Sequence, residues 1–158
     1  MNAGPYEQGH EANLTKELSA FLEVEYLSEA KQDSIWPVEG VLYGRRPIVC
    51  LPTKLLRNEL RNELRSELRN KNIFYLVDTV SPITELSPRA FMELGFGSDS
   101  PPAGARACIN GSECLVQLCD PTGDHPDIPL LGSDYMTQEG IILTVNYKTQ
   151  TVTLDRAV

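Results

Sequence analysis

The sequence predicts a small, mainly β barrel with one or two short helices, and three observations lead to this fold class. Short runs of apolar and β-branched residues, separated by turn residues, recur along most of the chain. Asn110-Gly111, between two such runs, is a strong signal for a tight hairpin turn. Only two short helices are predicted among these strands, one in the interior of the chain and one near its end. This pattern is typical of small β barrels.

Gly, Pro or Asn residues mark the boundaries of several predicted strands. A turn at residues 34–40, which contains Trp36, Pro37 and Gly40, precedes the first strand. Pro47 and Pro52 bracket the second, so we expect that strand to be short or to lie at a sheet edge. The strands are predicted at residues 41–43, 47–51, 73–77, 107–109, 114–118, 141–147 and 151–154.

Two helices are predicted within the barrel. The first covers residues 87–94, with Pro88 in its first turn and Gly95 as its stop signal. The second is a helical turn near residues 133–138, followed by Gly140. Loops rich in Gly, Pro and Ser are expected at 97–104 and 121–129.

Residues 1–40 are predicted to form an N-terminal tail and an amphipathic helix. The segment contains two lysines and eight acidic residues, a net charge of -6. Its helix, predicted for residues 13–31, either caps its own domain or binds a partner protein. Apolar residues recur at helical spacing at Leu14, Leu18, Phe21, Leu22 and Leu27.

A four-residue repeat lies between residues 53 and 71, where Leu-Arg-Asn-Glu occurs twice before Leu-Arg-Ser-Glu. The segment has a net charge of +3. Its composition favours a charged helical insertion, although an even period also fits a strand. The insertion either binds a protein partner or a second copy, or is a solvated product of repeat expansion. The leucine ridge consists of Leu56, Leu60, Leu64 and Leu68.

Length and composition are those of a single domain, with 158 residues and a net charge of -8. This acidity argues against general nucleic-acid binding, because such proteins neutralise phosphates with Lys and Arg. No apolar run approaches the roughly 20 residues of a membrane-spanning helix. Residues 1–9 lack the basic start and apolar stretch of a secretory signal. We therefore expect a soluble intracellular protein, in the cytoplasm or an organelle matrix, with no membrane span.

The four cysteines are interpreted as buried, reduced thiols. Disulfide pairing is numerically possible, but a chain of this size does not need it. A metal site is the other alternative, although the spacing lacks the short Cys-x2-Cys unit of common zinc sites. We expect no metal and no cofactor. The four cysteines are Cys50, Cys108, Cys114 and Cys119. The metal site of the alternative would combine the last three with His125 as its fourth ligand.

Asp78 is the strongest candidate for a catalytic residue. It directly follows the apolar run 73–77 and precedes Thr79. Partial burial at the end of a strand is a setting in which proteins shift the pKa of a carboxyl group. The alternative is that Asp78 is a surface turn residue of an unrelated β domain, since Asp commonly follows strands.

Three ordered motifs resemble those of the retropepsin-like aspartic proteases of retroviruses, retrotransposons and their cellular relatives. YLVDTVSPITELSPRAFMELGF resembles the family's Leu-Val-Asp-Thr-Gly followed by Ser-Pro-x-x-Phe/Ala-x-x-Leu-Gly, and PLLGSDYM resembles its late Leu-Leu-Gly-x-Asp motif. Residues 46–49 resemble the family's first strand. The likeness covers about residues 46–155 and implies a retropepsin-like closed barrel at 41–158, with a helical insertion at 53–71.

The resemblance implies a mechanism in which two carboxylates share a proton beside an attacking water. Because the chain has one Asp-Thr motif, an active enzyme is expected to be a homodimer with Asp78 from each subunit. Thr79 matches the threonine that braces the two loops in the family. No cofactor is implied.

Two departures from the family pattern concern catalysis. Val80 stands where the family has glycine, and the stretch from Gly95 to Leu130 is short for a region that must supply a covering flap hairpin. Asn110-Gly111 is either the tip of that flap or an ordinary hairpin. We therefore predict a catalytically impaired pseudoenzyme that acts as a protein-interaction or structural subunit through its helical attachments. The alternative is an active homodimeric aspartic endopeptidase.

Overall fold

Strands dominate the part of the chain that the structure describes, as the sequence predicts. The computed structural model describes residues 10–56, 69–96, 103–119 and 128–157. The strands are β1 (Val38–Tyr43), β2 (Arg46–Leu55), β3 (Lys71–Val77), β4 (Glu85–Leu86), β5 (Gly104–Ile109), β6 (Ser112–Leu118), β7 (Leu130–Leu131), β8 (Ile141–Asn146) and β9 (Thr151–Arg156). The helices are α1 (His10–Leu22), α2 (Pro88–Phe91), which a π-helical turn at Met92–Phe96 extends, and α3 (Ser133–Glu139).

The strands form one sheet in the order β3-β7-β4-β6-β5-β2-β1-β9-β8, and an additional pairing of β3 with β2 closes six of them into a ring. Most pairs are antiparallel, but β3 with β7 and β4 with β6 are parallel. β1, β9 and β8 extend the sheet outward from β2. The largest fully buried side chains, among them Phe74, Tyr75, Phe91 and Tyr135, form the core.

β2 is the central strand of the fold, so the prediction that it is short or lies at an edge is wrong. It is ten residues long and pairs with β1, β3 and β5. Pro47 lies opposite Leu42, next to the β1–β2 turn, and the Pro52 carbonyl accepts a hydrogen bond from the Asn110 N–H at 2.8 Å. A proline lacks only the N–H, so it is tolerated where the ladder uses its carbonyl.

β1 begins at Val38, so the predicted turn at 34–40 extends too far. Gly40 lies within the strand and is buried. A Cβ added to Gly40 would lie 2.2 Å from the Ile48 carbonyl oxygen. The glycine therefore permits close approach of β2 rather than forming a turn.

Two tight turns join antiparallel strands. Asn110-Gly111 joins β5 to β6 as predicted, with φ angles of 49° and 87°. Gly44-Arg45 joins β1 to β2 with φ angles of 58° and 69°. Two consecutive positive φ angles are typical of the type I′ turns that match strand twist.

α1 ends at Leu22, so the predicted helix at 13–31 is wrong in its second half. Glu23 and Leu27 have φ angles of 58° and 66°, which a right-handed helix does not accommodate. The Leu27 N–H instead donates to the Asn72 carbonyl at 2.8 Å, beside β3. Leu18 of α1 is fully buried. α1 therefore packs on its own domain, which was one of the two alternatives.

Residues 23–37 after α1 are named the strap here, because they run across the end of the sheet that is remote from Asp78. The Ala30 N–H donates to the Asn70 carbonyl at 2.9 Å. The Ile35 N–H donates to Oδ1 of Asn110 at 2.7 Å, and Nδ2 of Asn110 donates to the Ile35 carbonyl at 2.8 Å. The strap thus connects the start of β3 to the β5–β6 turn.

The two predicted barrel helices are confirmed. The Ser87 hydroxyl caps α2 by accepting a hydrogen bond from the Ala90 N–H at 3.2 Å. Gly95 follows with a φ of 109°, and α3 ends at Gly140 with a φ of 61°. None of the helices described by the structure is long and apolar enough to cross a membrane.

The predicted insertion is narrower than residues 53–71, because Thr53–Leu55 ends β2 and Lys71 begins β3. The Leu56 N–H donates to the Arg106 carbonyl at 2.9 Å, so its backbone continues toward β5. The proposed helix over the rest of the repeat lies outside the described residues. So do Leu60, Leu64 and Leu68, the loops at 97–102 and 120–127, and the N-terminal tail at 1–9.

Candidate functional site

Asp78, the predicted catalytic residue, directly follows β3, and backbone hydrogen bonds fix its position. Its N–H donates to the Leu131 carbonyl at 3.0 Å. Its Oδ1 accepts hydrogen bonds from the N–H groups of Val80 and Ser81, at 3.0 and 3.1 Å. The carboxylate is half-buried. One oxygen of Asp78 therefore organises the loop that follows the strand.

The two residues after Asp78 face outward. Thr79 is exposed, and 87% of Val80 is accessible to solvent. An isolated valine on a surface is not unusual. Here it stands beside the candidate catalytic carboxylate and gives the tip of the loop an apolar, branched side chain.

The structure brings the late Leu-Leu-Gly-Ser-Asp motif against the loop that carries Asp78. The Ser133 N–H donates to the Ser81 carbonyl at 2.7 Å. The Thr84 N–H donates to Oδ2 of Asp134 at 3.1 Å, and the Thr84 hydroxyl donates to Oδ1 of Asp134 at 2.7 Å. Asp134 thus positions the loop that begins at Asp78 by binding Thr84 at its other end.

The contact between the two segments also requires a glycine at position 132. Its N–H donates to the Thr84 hydroxyl oxygen at 3.0 Å. A Cβ at this position would lie 2.5 Å from both the carbonyl carbon and oxygen of Ile83. With φ of -92° and ψ of 176°, Gly132 has a backbone conformation open to any residue. Space, rather than conformation, therefore selects glycine.

The Ser-Pro-x-x-Phe motif supplies buried side chains to the same hydrophobic core as Val77 and Leu131. Phe91 and Leu94 are fully buried. Leu86 of β4, which precedes the motif in the chain, is also fully buried. The Leu86 carbonyl accepts a hydrogen bond from the Cys119 N–H at 3.0 Å. All three motifs thus contribute to one continuous region of the fold.

A cleft of about 470 Å³ opens beside Asp78. The end of β3 and the start of β2 form one side, and β8 together with the turn after it forms the other. Sequence reasoning identified only two of the lining residues as functional. The lining consists of Asp78, Thr79, Arg45, Arg46, Pro47, Leu76, Val77, Leu143, Val145 and Tyr147.

Arg45, Arg46 and Tyr147 are the polar lining residues that sequence reasoning missed. The adjacent arginines after Gly44 were a signal for a cationic turn, but nothing in the sequence places that turn beside Asp78. Tyr147, 66% exposed, carries no local signal at all. Their proximity to Asp78 depends on the packing of β8 and β2 around the same cleft.

The Asn110-Gly111 turn is an ordinary hairpin, which decides between the two alternatives stated for it. Asn110 is fully buried beneath the strap. β2 pairs with Ile109 at Thr53 but with Leu76 at Ile48, so the turn lies at the end of β2 remote from Asp78. It cannot cover the cleft as a flap.

The cysteines are free thiols, as expected, although only Cys114 and Cys119 are fully buried while Cys50 and Cys108 are half-buried. Burial raises the pKa of the Cys114 thiol to about 12, and that of Cys50 to about 12. Both are therefore protonated and weakly nucleophilic at neutral pH. Among the described residues, which exclude His125, no group of three potential ligands is arranged for a metal ion.

No family model matches the chain, and comparisons with curated proteins and with solved structures found no match either. The retropepsin resemblance therefore rests on the three sequence motifs.

Proposed function

We propose that the protein is a retropepsin-like domain with a closed barrel whose peptidase activity is lost or strongly impaired, and that it acts as a protein-interaction or structural subunit. The observation that carries this proposal is the exposure of Val80 beside Asp78. In a homodimeric enzyme the two Asp78 loops must approach until their carboxylates share a proton. A branched side chain, stiff at χ1, fills space that such an approach requires.

The limited length of chain available for a flap supports the same proposal. The β5–β6 hairpin is held beneath the strap, away from the cleft. Residues 97–102 and 120–127 contain only six and eight residues. Two strands of typical length with a turn need about 12 residues. Each segment is shorter than a hairpin of that typical length.

The closed ring of strands and the contact between Thr84 and Asp134 support the retropepsin-like part of the proposal. They join the motif segments that carry the resemblance. The interaction role is assigned to the helical attachments. Because Leu18 of α1 is buried in its own domain, the repeat insertion with Leu56, Leu60, Leu64 and Leu68 is the attachment that remains for a partner or a second copy.

An active homodimeric aspartic endopeptidase is the second candidate function. It is favoured by the geometry of Asp78, whose Oδ1 is fixed by two N–H donors on an exposed loop beside Thr79. Such a fixed carboxylate is what a dyad needs. The two proposals differ in whether two copies of Asp78 meet.

Hydrolysis of casein and of a random peptide library from about pH 4 to 7, where a shared carboxylate dyad is half-protonated, distinguishes them. We expect no cleavage by the wild-type protein. Cleavage that disappears in Asp78→Asn and persists in Asp155→Asn, an exposed carboxylate on β9, would establish the endopeptidase instead. We expect Val80→Gly to increase any residual peptidase activity.

A further inference from the structure

β8 is the outermost strand of the sheet. It pairs with β9 in unbroken register from Ile141 opposite Arg156 to Asn146 opposite Thr151. No strand among the described residues pairs with its other side. β8 therefore has a free edge.

The backbone groups on this edge follow from the hydrogen-bond pattern. The Ala157 N–H donates to the Gly140 carbonyl at 2.8 Å, which extends the β8–β9 ladder by one pair. Bonded pairs alternate in an antiparallel ladder, so Ile142, Thr144 and Asn146 direct their backbone groups toward β9. The N–H and C=O groups of the alternate residues, Ile141, Leu143 and Val145, therefore face outward.

Nothing in β8 itself protects this edge. Natural proteins guard exposed edges with charged side chains, prolines, bulges or short strands. β8 consists of Ile-Ile-Leu-Thr-Val-Asn, with no charge and no proline, and it pairs with β9 without a bulge. Ile142 is also 54% exposed. The edge is suited to accept another strand.

Both apolar side chains and arginines line the cleft beside this edge. Leu143 and Val145 line it from β8, opposite Val77. Arg45 and Arg46 line the same cleft at the β1–β2 turn. Asp78 is the acidic residue of the same lining, so the two arginines leave the cleft with a formal charge of +1, in a chain with a net charge of -8. The cleft therefore favours a negative charge.

We propose that the free edge of β8 binds an extended acidic and apolar segment of a partner protein as an added strand. The main chain of that segment bonds to Leu143 and Val145, an apolar side chain enters the cleft, and a neighbouring carboxylate contacts Arg45. This inference goes beyond the proposed role of the repeat insertion, because it places a second interaction surface at β8 and names the chemistry of its partner. A second copy of the chain is less suitable, because its own β8 carries no carboxylate to meet Arg45 and Arg46.

The test uses a fluorescein-labelled peptide in which valine, threonine and valine are flanked by glutamates, and a control peptide with lysines in place of the glutamates. We expect fluorescence anisotropy to show binding of the acidic peptide alone. Binding should weaken as salt rises, because the contact with Arg45 is electrostatic. Hydrogen exchange should show new protection of the Leu143 and Val145 amides, and none at Ile142 or Thr144.

Two variants of the full chain test the two contacts. Val145→Pro removes one outward N–H without touching the β9 ladder, and the loss of a main-chain hydrogen bond should weaken binding about tenfold. Arg45→Glu should weaken binding about fivefold or more at low salt. Arg106→Glu, the same charge reversal on β5 outside the cleft, is the matched control and should leave binding unchanged.

The other results of these experiments separate the inference from the proposed function. Absence of both peptide binding and amide protection overturns the inference, while the proposed function stands. A second possibility is that the free protein is a dimer in which the Leu143 and Val145 amides are already protected. If Val145→Pro dissociates that dimer, a second copy occupies the edge and the inference is overturned. A peptide that binds and is cleaved, as mass spectrometry would show, overturns the pseudoenzyme proposal but leaves the binding site intact.

Discussion

The hydroxyl of Thr84 donates a hydrogen bond to Oδ1 of Asp134 at 2.7 Å and joins two segments that are 50 residues apart in the chain. The same hydroxyl oxygen accepts the N–H of Gly132. Thr84 is fully buried, so these groups cannot exchange their partners for bulk water. The position of the Asp78 loop thus depends on a side chain six residues away from the carboxylate.

We expect Thr84→Val to destabilise the protein by about 2 kcal/mol, because it leaves the buried Gly132 N–H without an acceptor. Thr137→Val, the same substitution at an exposed position of α3, should change the free energy of unfolding by less than about 0.5 kcal/mol. Urea denaturation followed by circular dichroism measures both. Equal effects of the two substitutions would contradict a structural role for the Thr84 hydroxyl.

Gly132→Ala tests steric selection at the same contact. The added Cβ would collide with the backbone of Ile83, so we expect a loss of about 3 kcal/mol, at the upper end of overpacking costs. Gly44→Ala provides the comparison, because no atom lies within 4 Å of its added Cβ and only the positive φ is strained. That strain should cost about 1 kcal/mol. If thermal unfolding ranks the two variants in the opposite order, the close approach of Gly132 and Ile83 is wrong.

Local signals in the sequence predicted several elements correctly. Asn110-Gly111 predicted the β5–β6 hairpin, and Ser87-Pro88 predicted the start of α2, because turn and cap chemistry is set by neighbouring residues. Asp78 was placed correctly at the exit of a buried strand. These features do not depend on distant parts of the chain.

Features decided by distant contacts were not predictable in the same way. Leu27 continued the apolar period of α1, but it is buried by pairing of the strap with the start of β3. A glycine such as Gly40 is typical of turns, but here the close approach of the Ile48 backbone explains it. Arg45 and Tyr147 line the cleft beside Asp78 because the fold brings the β1–β2 turn and the turn after β8 to the end of β3. The chain supplies no local signal for that arrangement.

Alkaline pH should destabilise the protein through its buried thiols. Burial raises the pKa of Cys114 from 9.0 to about 12, so between these values the unfolded chain releases a proton that the folded chain retains. Stability is fully present below about pH 9 and falls toward pH 12, by up to about 1.4 kcal/mol per pH unit for each such thiol.

Cys114→Ala should reduce the slope of unfolding free energy against pH between about pH 9.5 and 11. Its slope between pH 6 and 8 should match the wild type, although the truncation lowers stability at every pH. Urea denaturation across this series in the presence of a reductant measures the slopes. Identical alkaline slopes would show that the Cys114 thiol titrates alike in both states.

Deletion of residues 57–68 should leave the domain folded. Thr53 and Lys71 are already paired in the β2–β3 ladder, so a short connection can replace the repeat. We expect a cooperative unfolding transition in the deleted chain, together with loss of any self-association or partner binding that the repeat provides. Size-exclusion chromatography and thermal unfolding check the two parts. Loss of cooperative unfolding would identify the repeat as part of the core.

The strap has a consequence for the order in which the chain can fold. Both hydrogen bonds of Ile35 go to the side chain of Asn110, 75 residues later in the sequence. During synthesis from the N-terminus, residues 23–37 leave the ribosome long before their partner exists. The strap therefore completes its packing late, after the β5–β6 hairpin has formed beneath it.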